Sequence, residues 1–287
     1  MTPFPIPVVA LGPGTQVEDE ALDYIVLPKD MATWRPPELP EPEALAARPR
    51  VRAVLDQVLA LLARAAEGGQ GGQVDLLGLS AADLALLNPL LGEGEASALV
   101  REEGVPDELR VQESVFAGVW RVMGWRDGVR VDDRVEVGPL PAVLLATAAE
   151  DGRRPCQPWQ GPWPPGVQNA PLLVDEVRDQ VARWRPGQPP HVVNLTLLPV
   201  TPEDIAFLDH QLGTGRVLIL SRGYGNCRIT NTRQPNCWRV VYYNGLDNVI
   251  LNTVEVVDRP EVAVAAPEDL RDSHARLADV LTYLATA

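Results

Sequence analysis

Ser80-Ala81-Ala82-Asp83-Leu84-Ala85-Leu86-Leu87, running on to Leu91-Gly92-Glu93-Gly94, is written a second time as Thr201-Pro202-Glu203-Asp204-Ile205-Ala206-Phe207-Leu208, running on to Leu212-Gly213-Thr214-Gly215. Both copies set a hydroxyl residue three positions before an aspartate, the pattern of a capped helix start, and both close on glycines that stop a helix. Further on, Trp120-Arg121-Val122 returns as Trp238-Arg239-Val240. Val135-Glu136-Val137 with Pro141 returns as Val254-Glu255-Val256 with Pro260. The displacement stays at about 120 residues, so the chain is an internal duplication. Residues common to both copies are expected to build the fold, and residues peculiar to one copy are the candidates for function.

Working outward, apolar residues at three- and four-residue steps predict three more helices. One runs from Val51 to Leu62 behind Pro49, one from Val174 to Trp184 behind Asn169 and Pro171, and one from Asp269 to Ala285 carries Leu270, Leu277, Val280, Leu281 and Leu284. Strands are expected at 74–79, 96–100, 115–123, 129–137 and 142–147 in the first copy. In the second they are expected at 192–198, 217–221, 227–232, 237–243, 248–257 and 261–265. The fold class that follows is α+β: two tandem, related helix–strand–helix–antiparallel-sheet units. Expected boundaries are an extended proline-rich N-terminal arm over 1–46, a first unit over 47–150, a Pro/Trp-rich linker over 151–170 and a second unit over 171–287. Proline density keeps arm and linker extended. Trp159 and Trp163 are expected to pack the linker onto the body.

The chain has 287 residues, 46% of them hydrophobic and 22% charged, enough to bury a core. Its formal net charge of −14 opposes nucleic acid as a partner, because that binding is driven by cations that neutralise phosphate. No apolar run reaches the ~20 residues that span a bilayer, and no basic-then-apolar leader opens the chain. A cytoplasmic protein with no membrane insertion is expected.

The copies differ most in charge. Between Leu99 and Trp120 the first holds Glu102, Glu103, Asp107, Glu108 and Glu113 against Arg101 and Arg110. From His210 to Gly245 the second holds Arg216, Arg222, Arg228, Arg233 and Arg239 and no carboxylate. A cationic stretch on an acidic body orients an acidic partner. Within it, Ser221-Arg222-Gly223-Tyr224-Gly225-Asn226-Cys227-Arg228 reads as a glycine-rich hairpin or as a close-approach loop for a ligand. It lacks the lysine and hydroxyl of a phosphate-binding loop and the strand–glycine–helix order of a dinucleotide site. Cys227 and Cys237 read as buried or half-buried structural thiols, which neighbouring strands could bring face to face. They form no redox motif and lack two further zinc ligands, so they are weak metal candidates, and no cofactor is expected. His191, His210 and His274 stand apart from any cysteine, so no base is at hand to activate a thiol and no catalytic residue is assigned.

Ser221-Arg222-Gly223-Tyr224-Gly225-Asn226-Cys227-Arg228-Ile229-Thr230, Leu251-Asn252-Thr253-Val254-Glu255-Val256-Val257-Asp258-Arg259-Pro260-Glu261-Val262 and Pro165-Gly166-Val167-Gln168-Asn169-Ala170-Pro171 resemble the HupH/HyaF/HoxQ family of nickel–iron hydrogenase expression proteins. Leu11-Gly12-Pro13-Gly14 and Leu22-Asp23-Tyr24 fit the same family. The resemblance implies a non-enzymatic accessory role in cytoplasmic maturation of an uptake hydrogenase where oxygen is present. It implies binding of the iron–sulfur small subunit precursor before assembly and export, with a thioredoxin-like protein of the same operon as a second partner. It marks Arg222, Tyr224, Asn226, Cys227, Arg228 and Trp238 as the candidate partner-binding surface. A metal or cluster carrier using Cys227 and Cys237 is the alternative.

Overall fold

The computed structural model describes residues 40–101, 107–154, 156–223 and 225–285. In the first copy the elements are α1 (Pro42–Ala46), α2 (Pro49–Ala66), β1 (Gly72–Asp75), α3 (Ala81–Leu91), β2 (Ala96–Arg101), β3 (Glu108–Glu113), β4 (Val119–Arg126), β5 (Val129–Val137) and α4 (Ala142–Asp151). In the second they are α5 (Ala170–Arg183), β6 (His191–Asn194), α6 (Pro202–Leu212), β7 (Thr214–Ser221), β8 (Asn226–Thr232), β9 (Cys237–Tyr243), β10 (Val249–Val256) and α7 (Pro267–Tyr283). Strands of the first copy lie in the order β1-β5-β4-β3-β2 and those of the second in the order β6-β10-β9-β8-β7, with antiparallel neighbours inside each set. Both copies therefore share one topology, and the fold is α+β.

The repeated residues do repeated work. Ser80 and Thr201 each accept the N–H three residues on, from Asp83 and Asp204, whose carboxylates accept the Ser80 and Thr201 N–H in return. Such reciprocal caps satisfy donors that a helix start leaves open. Trp120 and Trp238 are each 1% exposed, and their indole N–H groups donate to Gly138 O and Val257 O, one residue past the closing strand of each copy. Ser114 and Thr232 each hold the turn that follows, accepting the N–H of Phe116 and Gln234. That turn needs positive φ, met by Gly118 at +80° and by Asn236 at +50°. At Gly118 a Cβ would also come 2.2 Å from Leu270 Cδ2, so a side chain there would displace Leu270 as well as strain the turn.

The compact units do not coincide with the copies. One unit joins the first copy through Leu145 to the chain's end from Glu261; the other is Ala146–Pro260. In the first, Leu270, Leu277 and Leu281 of α7, with Leu284 just past its end, share an apolar core with Val51, Val54, Leu55, Val58 and Leu62 of α2. In the second, Asp151 at the end of α4 accepts the Arg216 N–H at 2.8 Å and Asn231 Nδ2 at 3.0 Å, and Gly152 backs onto Pro235. The second copy's last helix thus belongs to the first unit, and the C-terminal part of α4 to the second, so the boundaries at 47–150 and 171–287 do not describe the packed bodies.

Three local expectations are corrected. Residues 142–147 open α4 and form no strand: the alanine-rich run continues to Asp151, and Glu136 accepts the Ala142 N–H at 2.8 Å. Residues 261–265 hold a 3-10 turn over Glu261–Ala263, while β3 was absent from the expected strands. The arm over 1–46 lies mostly outside the described residues, and its described end is helical α1. In the linker, Trp159 and Trp163 stand edge-on to Phe207 with centroids at 6.0 and 5.5 Å, packing it onto the body of its unit.

Candidate functional site

One end of the second unit's sheet gathers the residues that set this copy apart. Asn226 at the start of β8 faces Tyr243 at the end of β9, and Tyr243 faces Val249 at the start of β10. The β7–β8 and β9–β10 turns therefore lie at the same end. The chain leaving β6 arrives there too, because Leu195 N–H donates to Asn252 O and Asn252 N–H donates to Thr196 Oγ1. This end carries half-buried Arg222, Asn226 and Arg228 together with Leu197, Leu246 and Ile250, which are 80%, 81% and 57% exposed. Scattered exposed leucines are ordinary; several beside arginines at one end of a sheet make a surface suited to an apolar, acidic partner.

The first unit supplies the control. Its arginines at the matching end are neutralised within the unit: Arg110 pairs with Glu108 at 2.6 Å, Arg126 with Asp107 at 3.5 Å and Arg130 with Asp133 at 3.1 Å, while Arg134 pairs with Asp132 and Glu136. Arg110 and Arg130 also stand over the Trp125 ring. Among the described residues, Arg222 and Arg228 make no ion pair. Arg216 pairs with Asp151 and Glu150 and belongs to the scaffold.

Two of the candidate surface residues are interior. Cys227 is buried, and Trp238 is sealed in the sheet with its indole satisfied; neither presents a surface. Tyr224 lies outside the described residues. Cys227 and Cys237 do not face each other. Cys227 is opposite Tyr242 and Cys237 opposite Val256, and strand pleating puts them on opposite faces of the sheet. Burial pushes the Cys227 thiol up to about 12, with Glu255 adding to it and a Tyr242 hydrogen bond opposing it. Burial likewise pushes Cys237 up to about 12 against a Thr232 hydrogen bond and the charge of Arg239. Thiols held so far from the thiolate form are poor ligands and nucleophiles at neutral pH. Among the described residues, no group of three or more His, Cys, Asp or Glu is placed to hold a metal ion.

Sequence reasoning missed the apolar half of this surface. Ile250 and Leu197 read as strand residues, but Leu246 stands in Asn244-Gly245-Leu246-Asp247, where a large apolar residue in a polar turn is itself a signal. No helix among the described residues is long and apolar enough to cross a membrane.

The family model described as "HupH hydrogenase expression protein, C-terminal conserved region" matches residues 50–157 and again 167–284, one match per copy. The hydrogenase expression/formation protein HoxQ of Cupriavidus necator is 50% identical over 287 residues, covering 99% of each chain. The hydrogenase expression/formation protein HupH of Rhodobacter capsulatus is 48% identical over 279 residues, covering 97% of each. A solved structure of the hydrogenase expression protein HupH from Thiobacillus denitrificans is 25% identical, spans 38% of this chain and 92% of its own, and superposes with a TM-score of 0.36.

Proposed function

Since this chain belongs to the HupH family of hydrogenase expression proteins, we propose that it is a non-enzymatic accessory factor of hydrogenase maturation. It holds the iron–sulfur small subunit precursor of a nickel–iron uptake hydrogenase in the cytoplasm before assembly and export. Its relatives are named for the expression and formation of hydrogenase and not for a reaction, which supports the accessory role.

The observation that carries the reading is the pairing contrast between the two copies. Arginines of the first are paired with its own carboxylates, while among the described residues Arg222 and Arg228 of the second make no ion pair, at the sheet end that also carries exposed Leu197, Leu246 and Ile250. A precursor that has not met its partner subunit exposes apolar surface and cluster-ligating thiolates. Guanidinium groups suit the second and leucines the first. A thioredoxin-like protein of the same operon is the second partner of this proposal.

The test is co-purification of the small subunit precursor from cells making hydrogenase. Reversing charge at both Arg222→Glu and Arg228→Glu is expected to cut recovery at least about tenfold, the effect of losing charged contacts worth some 1.5 kcal/mol or more. Recovery equal to that of the unaltered protein, with the variant folded, dismisses this surface.

A further inference from the structure

Arg121 and Arg239 hold the same position in the two units; the first is gripped by a forked carboxylate, while the second has a single long ion pair at Nε and nothing at Nη1 or Nη2 among the described residues. Arg121 faces Val135 as Arg239 faces Val254; Asp133 faces Met123 as Asn252 faces Val241. In the first unit the Arg121 guanidinium grips both oxygens of Asp133, at 2.6 Å from Nε and 2.8 Å from Nη2, and its Nη1 donates to Asn88 Oδ1 at 3.1 Å. That is a forked pair with every edge of the guanidinium engaged. In the second unit a neutral amide, Asn252, stands where Asp133 stands. On α6, Asp209 takes the place that Asn88 has on α3, and its nearest oxygen lies 3.7 Å from Arg239 Nε.

Arg239 is 8% exposed, and its Nη1 and Nη2 are buried with no hydrogen-bond partner among the described residues; Asn252 Oδ1 beside it is in the same state. Interior donors are almost always satisfied, and a charged one left open is a heavy penalty. Local charge does not close the gap: Arg228 lies on the same sheet face as Arg239, and Asp209 is the carboxylate that both act on. Asp209 keeps 44% of its side-chain surface, while Nη1 and Nη2 behind it are closed off, so a ligand reaches the guanidinium only if the Asp209 side chain moves aside. Crowding by protein pushes the Asp209 carboxyl up against the pull of Arg239 and Arg228, which further weakens it as a permanent counter-ion.

We propose that Arg239 anchors a carboxylate-binding site, at the position where Asn252 replaces the first unit's Asp133. A carboxylate from outside the unit presents its two oxygens to Nη1 and Nη2 and supplies the charge that Asp133 supplies in the first unit. The shared chemistry is the carboxylate itself, carried by a free organic acid or by an acidic side chain of a polypeptide. The inference stands independently of the client proposed above.

Thermal unfolding of the full chain at matched ionic strength tests it. The probes are sodium acetate, sodium malonate, and a short glutamate-containing peptide against its glutamine analogue, with sodium chloride and sodium sulfate as controls. At least one carboxylate probe is expected to raise Tm saturably by roughly 2–4 °C over chloride. Asn252→Asp, which restores the first unit's pair internally, is expected to raise Tm without any probe and to abolish the response; Arg239→Gln also abolishes it. A response to acetate or malonate identifies a free acid as sufficient, and a response confined to the glutamate peptide identifies a polypeptide source. Equal Tm in chloride and in every carboxylate probe overturns the site, as does an undiminished response in Asn252→Asp.

Discussion

Glu113 and Asn231 stand at matching places in β3 and β8 and differ in one property that pH reveals. Asn231 Oδ1 accepts the Val217 N–H at 2.9 Å; Glu113 accepts the N–H of Gly118 at 3.2 Å and that of Ala96. Burial pushes the Glu113 carboxyl from 4.5 up to about 7, the Gly118 and Ala96 N–H groups oppose it, and the charges of Glu95 and Asp269 add to it. A raised carboxyl favours the protonated form in the folded chain. Its contribution is therefore complete below about pH 4.5 and is lost as pH rises through about 7. Glu113→Gln is expected to be insensitive to this loss, so its stability relative to the parent should grow by on the order of 2 kcal/mol between pH 4.5 and 8. Urea unfolding across that range measures it, and parallel pH curves for the two proteins refute it. The cysteines give a second expectation at this scale. Cys156 is half-buried while Cys227 and Cys237 are interior, so alkylation of the native protein should label Cys156 first, with the other two reacting at least about a hundredfold more slowly until the chain unfolds. Rapid native labelling of Cys227 would show the β7–β8 end to be open.

At the scale of elements, α7 decides whether the first unit exists. Its Leu270, Leu277 and Leu281, with Leu284 just past its end, face the α2 stripe, and an apolar helix face left without its partner exposes that stripe to water. Leu277→Ala is expected to cost about 2–5 kcal/mol. Limited proteolysis should then cut within 49–137 well before it cuts within 170–256; simultaneous cleavage of both regions would show that the loss is not local. The duplication, both capping boxes and most strand positions were legible because each rests on short-range chemistry repeated in register. Two things were not. The apolar run Ala142-Val143-Leu144-Leu145 suits a strand or a helix equally over so few residues, and what chose helix was the carboxylate of Glu136 at its first N–H. The placement of α7 in the first unit was hidden because a leucine stripe shows that a helix is covered without showing by what.

For the whole molecule, a net charge of −14 gives the second unit's cationic end its meaning: it is local contrast on an acidic body. The acid-free stretch was readable in the sequence, and Arg222 and Arg228 are where that reading looked. Trp238 and Cys227 misled it, since a place in a recognisable motif does not tell a surface side chain from one that closes a core. The open edge of Arg239 could be seen only by laying one copy's register over the other's. The placement of α7 has a further consequence for how the polypeptide is made. Ribosomal synthesis delivers residues 49–137 first, yet their apolar face waits for 267–283, which emerge only after the whole of Ala146–Pro260. The later-made body, Ala146–Pro260, holds all its own parts sooner. Premature termination just short of α7 is therefore expected to leave the earlier-made body, not the later-made one, without its cover.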